Sequence, residues 1–345
     1  VNKNQNSFDN NLDEANITWH DLFEMAIELK KLKPWEYLEN HHVIVVEHPV
    51  TEEMLYICVM GAGGQEFGLA IYIGDYGRKI LEQIELDTLP PDYYYDMHCL
   101  NVTFVDREEI TKEDYQLIKS QGLSFRGKKN WVQFRSYLPG KFPWIPDEAE
   151  CDLILFAMLQ TMEVVHQIKE GWEFPELPFG DYYFRQLEFV DGKAQISEQI
   201  IGFVEEESKE EVDPIIINIS EFELKQLAKK KVEREEIEFD LMYMPHAVKE
   251  EPDDRPFYPL LVIALSRSTG MVIHQEMVPL GKDRFIAQAT FKEMIKILPF
   301  KPSTIYVSQE IYKSVASLAN AMEVQLKEDQ LFALKEFKQY LEQMS

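Results

Sequence analysis

The chain reads as an α+β protein made of two similar domains, each ordered βββαβαβα. Three observations predict this. The opening Asn16-Ile17-Thr18 returns about 200 residues later as Asn218-Ile219-Ser220, as expected of an internal duplication. Three strand-like runs follow each opening helix, and a short apolar strand ends in Pro in each half (His48-Pro49, then Met244-Pro245). Later, a strand runs into a polar helix start in each half (Phe104-Val105-Asp106, then Tyr306-Val307-Ser308).

Residues 1–16, rich in Asn and Asp, form a disordered lead-in, and the first domain spans 17–204. Thr18-x-x-Asp21 caps a helix whose apolar face is Trp19, Leu22, Phe23, Ala26 and Ile27, and Pro34 stops it. Strands are predicted at Val43–Glu47, Leu55–Met60 and Phe67–Ile73. Gly61-Ala62-Gly63-Gly64 supplies the positive-φ residues for a hairpin between the last two. A short helix covers Arg78–Ile84, and Pro90-Pro91 with three tyrosines forms a loop. Next come a strand at Leu100–Val105, a helix capped by Thr111-x-x-Asp114, and a strand at Trp131–Tyr137. A long helix covers Asp147–Lys169. Asp191-Gly192 then turns a hairpin between Tyr183–Val190 and Lys193–Phe203.

Residues 205–213 are an acidic linker, and 214–345 form the second domain. Ile215–Asn218 is a predicted strand, and Ser220-x-x-Glu223 caps the second opening helix. Strands at Ile237–Met244, Leu260–Ser266 and Met271–Val278 follow, with Thr269-Gly270 as the hairpin turn. A helix at Phe285–Leu298, a strand at Thr304–Val307 and a helix carrying Ile311, Val315, Leu318 and Met322 come next. A strand at Val324–Leu326 and a last helix with Leu334, Phe337 and Leu341 inward complete the pattern.

At 345 residues, 45% hydrophobic and 12% aromatic, the chain can bury two cores. Its net charge of −26 repels phosphate backbones and anionic lipid, so neither nucleic acid nor membrane is an expected partner. Cys58, Cys99 and Cys151 are odd in number and form no C-x-x-C pair, which excludes a zinc ribbon or a disulfide framework. The start has no apolar h-region. The apolar stretch Leu153–Val165, broken by Gln160, Thr161 and Glu163, is too short to span a bilayer. A soluble cytoplasmic protein is the expectation.

The βββαβαβα order is similar to that of ribonuclease H-like domains, a resemblance of topology without a shared motif. A more specific one rests on Leu123-Ser124-Phe125-Arg126-Gly127, on Trp131 to Gly140, and on Phe142-Pro143-Trp144. These resemble an uncharacterised bacterial family. Arg255-Pro256-Phe257-Tyr258-Pro259 with Thr269-Gly270 is similar to a companion domain of unknown function. The resemblance implies a two-part bacterial cytoplasmic protein and supplies no activity.

A ribonuclease H-like nuclease would need clustered carboxylates to hold two divalent cations. The first half offers Glu47, Glu82, Asp106 and Glu150; the second offers Asp240 and Glu293, with Ser308 where Asp106 stands. The offset pairing Pro49 with Pro245 pairs Glu47 with Tyr243 and Ile44 with Asp240, so the halves share no site. Gly122 to Lys129 nearly matches a phosphate loop, but Lys129 replaces the hydroxyl and a strand follows instead of a helix. Gly61 to Gly64 lies between two strands and lacks dinucleotide spacing. His41-His42 with His48 suggests a metal site, but His42 and His48 sit on one short strand without a thiol partner. Surface or core histidines are the reading, and no metal or cofactor is expected. No G-x-S-x-G elbow supports covalent catalysis.

One stretch departs from the acidic background. Arg126, Lys128, Lys129, Arg135 and Lys141 occur between 126 and 146 with no acid among them, interleaved with Trp131, Phe134, Tyr137, Phe142 and Trp144. Alternation puts Val132, Phe134 and Ser136 on a core face and Trp131, Gln133, Arg135 and Tyr137 on the other. Lys128, Lys129, Lys141 and Trp144 would reach in from the flanking loops. Cations beside stacking surfaces suit a small anionic ligand or an acidic protein segment. The expected function is therefore a non-enzymatic binding or regulatory protein. The alternative is a degenerate or metal-dependent nuclease using Glu47, Glu82, Asp106 and Glu150.

Overall fold

The Thr18 hydroxyl accepts the Asp21 N–H at 3.3 Å, and the Asp21 carboxylate accepts the Thr18 N–H at 2.9 Å. This reciprocal cap starts α1 (Trp19–Leu32), the first element of a computed structural model that describes residues 17–90, 92–190, 193–202, 213–252, 254–278 and 284–344. The lead-in at 1–16, the Asp191-Gly192 turn and most of the 205–213 linker lie outside the described residues. The chain divides into two units, one of residues 1–138 and 143–204 and the other of 139–142 and 205–345. The short excursion 139–142 is not foreshadowed in the sequence.

In the first unit, β1 (Val43–Glu47), β2 (Met54–Met60) and β3 (Gly68–Ile73) form an antiparallel meander. The glycine cluster turns the β2–β3 connection as expected. Gly61 has φ +139°, and a Cβ there would lie 2.7 Å from the Trp35 side chain. After α2 (Gly74–Glu85), β4 (Cys99–Val105) pairs antiparallel with β3, Leu69 opposite Val102. After α3 (Lys112–Ser120), β5 (Trp131–Tyr137) continues the antiparallel series. Only after α4 (Glu148–Lys169) does a strand return beside β1 in parallel. This is β6 (Asp181–Val190), with Ile44 opposite Tyr183. β6 then pairs with β7 (Lys193–Gly202), so the sheet order is β5-β4-β3-β2-β1-β6-β7.

The second unit follows the expected scheme. After α5 (Glu221–Ala228), β8 (Val232–Tyr243), β9 (Leu260–Ser266) and β10 (Val272–Val278) are antiparallel. α6 (Arg284–Ile297) leads to β11 (Lys301–Val307), which returns parallel to β8. α7 (Gln309–Ala321) leads to β12 (Leu326–Glu328), parallel to β11, and α8 (Phe332–Met344) closes the chain. The order is β10-β9-β8-β11-β12. The two sheets therefore part at the fourth strand, and the expected duplication is not borne out at the level of topology. β1 and β8 do share a setting, each between an antiparallel and a parallel neighbour.

Ile215–Asn218 is not a strand. The Gln288 side chain accepts the Ile216 N–H at 2.9 Å and donates to Pro214 O at 2.9 Å, so an amide takes the place of a ladder. α4, at 22 residues, is long and apolar enough to cross a membrane by length and composition. Its apolar face is nevertheless core: Ile154, Ala157, Met158, Val164 and Val165 are fully buried beneath the first sheet and α1. The first sheet is covered on both faces. Ile44 and Val46 face α1 and α4, while Val43 and Val45 pack with Tyr56, Tyr72 and the α2 residues Ile80 and Leu81. An unbroken apolar β1 follows from that double burial.

Arg185 of β6 is 1% exposed. Its guanidinium donates to Gln160 Oε1 at 3.3 Å and Gln167 Oε1 at 2.9 Å on α4, and to Glu198 Oε1 at 3.0 Å on β7. Removing the cation strands the buried Gln160 acceptor and the Glu198 charge. Arg185→Met is expected to lower stability by about 3 kcal/mol or more. Urea unfolding, with amide exchange read on β6 and β7, checks this; an unchanged midpoint would contradict it.

Candidate functional site

Much of the cationic aromatic stretch is engaged in folding. Asp114, in the first turn of α3, receives Arg135 through two bonds of 2.7 and 2.6 Å, and Gln133 Nε2 at 3.1 Å. Trp131 is buried beside Phe125 and Tyr115, with the Arg107 guanidinium 5.1 Å from its ring. Lys129 takes a left-handed φ of 50° and donates its N–H to Asp106 at 2.6 Å, and its ammonium meets Glu109 at 3.3 Å. Tyr137 packs into the second core face, and Trp144 pairs its backbone with Ser136. Lys141 lies over the Phe257 ring at 5.2 Å within the second unit. Arg126 and Lys128 are exposed. Val132, Phe134 and Ser136 are buried as the alternation requires, but the opposite face of β5 does not offer Trp131, Arg135 and Tyr137 to a ligand. The acids absent from the stretch arrive from α3 and from residues 106–109.

The nuclease carboxylates do not converge either. Glu82 pairs with Arg78, Asp106 holds the Lys129 N–H, and Glu150 accepts the Ser136 hydroxyl at 2.6 Å and the Asp147 N–H at 2.9 Å. Ser308 caps α7, and Glu293 pairs with Lys296. Among the described residues, the set of three potential metal-ligating side chains whose ligand atoms all lie within 4.8 Å is a different one: His41, His42 and Glu176.

Local chemistry builds this cluster. The Glu39 N–H donates to His42 Nδ1 at 3.1 Å and the His42 N–H to Glu39 O at 3.0 Å, a turn that presents both histidines just before β1. Parallel strands place like ends together, so the segment entering β6 lies beside the segment entering β1. That segment, Trp172 to Gly180, carries Pro175 and Pro178 and turns at Gly180 (φ +85°), where Asp181 N–H meets Pro178 O at 3.1 Å. Phe174 stacks on the His42 ring with centroids 4.7 Å apart and packs edge-on against Trp172 and Tyr183. Glu176 is thereby set between the imidazoles, one carboxylate oxygen 3.7 Å from His41 Nε2 and the other 3.7 Å from His42 Nε2.

The two histidines open on a cavity of about 290 Å³ whose lining also includes Glu85, Phe174, Asp181 and Tyr182, with Val43, Leu177 and Phe179 among its apolar residues. Burial, then the neighbouring His41, lowers the His42 pKa against the pull of Glu176, so His42 is neutral at pH 7. Desolvation, then the nearby Glu82, raises Glu85 above the usual carboxylate range. His48 belongs elsewhere: its Nδ1 accepts the Thr51 N–H at 3.2 Å, its Nε2 lies 3.5 Å from Asp152, and its ring meets Phe156. Glu176, 134 residues beyond His42, was missed because nothing local links the two. The pairing is a product of the parallel β1–β6 register.

Residues 19–180 match the family model described as Domain of unknown function (DUF7309). Residues 223–342 match a second, Domain of unknown function (DUF6930). The chain joins two uncharacterised domains. No curated protein and no solved structure matches. The histidines and Glu176 fall within the first match; Asp181 and Tyr182 follow it directly.

The Asp114–Arg135 pair has a measurable consequence. Burial pushes the Asp114 carboxyl up, but Arg135 and the Thr111 bonds outweigh it and hold the group below its ordinary value. A depressed acid stabilises above its unfolded pKa of about 3.9, and that contribution is lost as pH falls through the lower folded value. Arg135→Ala is expected to cost about 3 to 5 kcal/mol near neutral pH. It should also flatten the acid limb of the stability profile, measured by urea titration from neutral to strongly acidic pH. A profile parallel to that of the parent would overturn this assignment.

Proposed function

We propose that the first unit is a non-enzymatic binding module whose ligand is a small cation, held in the cavity before β1 and β6. What carries the reading is the composition of the wall. Glu85 and Asp181 line it with two imidazoles and the rings of Phe174, Phe179 and Tyr182, Glu176 stands against those imidazoles, and the lining contains no lysine or arginine. Carboxylates attract a cation, and aromatic faces stabilise one that has shed water. Supporting this, the His41 and Glu176 side chains are 57% and 82% exposed, so their ion pair adds little to folding. The net charge of −26 favours cation approach over anion approach.

An anionic ligand or acidic partner segment at Arg126–Trp144 has less behind it, because Arg135 already holds Asp114. The nuclease alternative needs carboxylates that are committed to Arg78, Lys129 and Ser136. A bacterial, cytoplasmic setting belongs to the same proposal; three buried free cysteines are compatible with a reducing compartment.

The test is calorimetry on the full chain with spermidine, arginine and choline at low and moderate salt. One saturable site is expected for at least one of them, weakened by salt and lowered about tenfold or more in Glu176→Gln/Asp181→Asn. No saturable binding, or binding indifferent to that double substitution, would refute the reading.

A further inference from the structure

We infer that His41, His42 and Glu176 form a binding site for a divalent transition-metal ion of the zinc or cobalt class. This rests on the reading of the cavity as a cation site and names its ligand. The geometry is the first argument. Two ligands each about 2.1 Å from one zinc ion stand about 3.4 Å apart at a tetrahedral angle. Here each imidazole Nε2 stands 3.7 Å from a carboxylate oxygen, and all three ligand atoms lie within 4.8 Å of one another. The remaining closure falls to Glu176, whose side chain is 82% exposed and free to move.

The second argument is an orphaned atom. His42 Nε2 is buried and has no hydrogen-bond partner, with Glu176 Oε1 3.7 Å away. The third is the surrounding shell. Glu39 Oε2 lies 3.6 Å from His41 Nδ1, beyond hydrogen-bond reach but close enough to add negative field. Two nitrogens and a carboxylate favour zinc, cobalt or nickel over calcium and magnesium, which take oxygen shells. Glu85 and Asp181 on the same wall add negative field and can hold an ion-bound water.

One bond opposes the ion. Because the Glu39 N–H donates to His42 Nδ1, the neutral ring carries its proton on Nε2. Binding moves that proton to Nδ1 and breaks the Glu39 bond, so the site trades one hydrogen bond for one metal bond. A modest affinity follows, set by His41 and Glu176 as much as by His42.

The experiment uses the full chain after chelator treatment. Cobalt is titrated by visible absorption and zinc by calorimetry, for the parent and for His41→Ala, His42→Ala, Glu176→Gln and, as a surface control, His20→Ala. Expected are one ion per chain, a cobalt spectrum of low coordination number, and a loss of about tenfold or more in each of the first three variants with none in the control. Melting temperatures monitor folding. No saturable uptake, or uptake unchanged in both His42→Ala and Glu176→Gln, overturns the metal site. If spermidine, arginine or choline still binds while cobalt and zinc do not, the metal inference falls and the cation-cavity reading stands. If no cation of either kind binds, both fall.

Discussion

Burying one guanidinium organises the first unit. Arg185 has almost no access to water, and a cation there is tolerable only while most of its donors are met; Nε and Nη1 are, and Nη2 has no hydrogen-bond partner. The acceptors come from two elements, Gln160 and Gln167 on α4 and Glu198 on β7, and Gln167 also donates to Glu198 at 3.0 Å. β6 therefore has a single position: beneath α4, beside β7 and parallel to β1. Gln160, which interrupts the apolar run of α4, is present for this cation. So is the hairpin, which is the other source of counter-charge. The cavity inherits its place from the same arrangement, because the parallel register fixes the segment entering β6 next to the histidines entering β1.

Much of the fold was legible because its signals are local. Capping residues at Thr18, Thr111 and Ser220 each bond the N–H three residues on, and each helix begins where the sequence says. Strand positions followed from apolar runs, and the sheet faces of β5 from alternation. Pairing was not legible, since both halves place a helix-bearing connection of more than a dozen residues between third and fourth strands, and such a connection serves either an antiparallel neighbour or a parallel crossover. In the first unit β4 stays beside β3; in the second β11 crosses to β8. Equal element order thus hides two different sheets.

The site shows the same division between local and distant signals. A cluster of cations with no acid in its own segment looked unsatisfied, yet charge balance in a fold is settled in space. Asp114, 21 residues before Arg135, forms a bidentate pair with it across the β5–α3 packing, and Asp106 and Glu109 serve Lys129. Conversely, His41 and His42 looked incomplete because their acidic neighbour lies beyond five strands and a long helix. Residue type marked the right chemistry in both places, but only the fold assigns partners.

The cavity also occupies an unusual end of its sheet. In open α/β folds ligands gather outside the carboxyl ends of parallel strands, where helix N-termini add a positive field suited to phosphates. Here the cleft lies at the amino ends of the parallel pair of this sheet, β1 and β6, and Glu85, the last residue of α2, lines its wall. Carboxylates and overall charge therefore act with one sign, opposite to that of a phosphate site. Screening limits the overall charge to a range of about 8 Å at physiological salt, so the final selection rests on the wall itself. There, His42 supplies the distinction: an ion that forms coordinate bonds must displace the Nε2 proton to Nδ1 and break the Glu39 bond, whereas an ammonium group donates to the carboxylates without that shift.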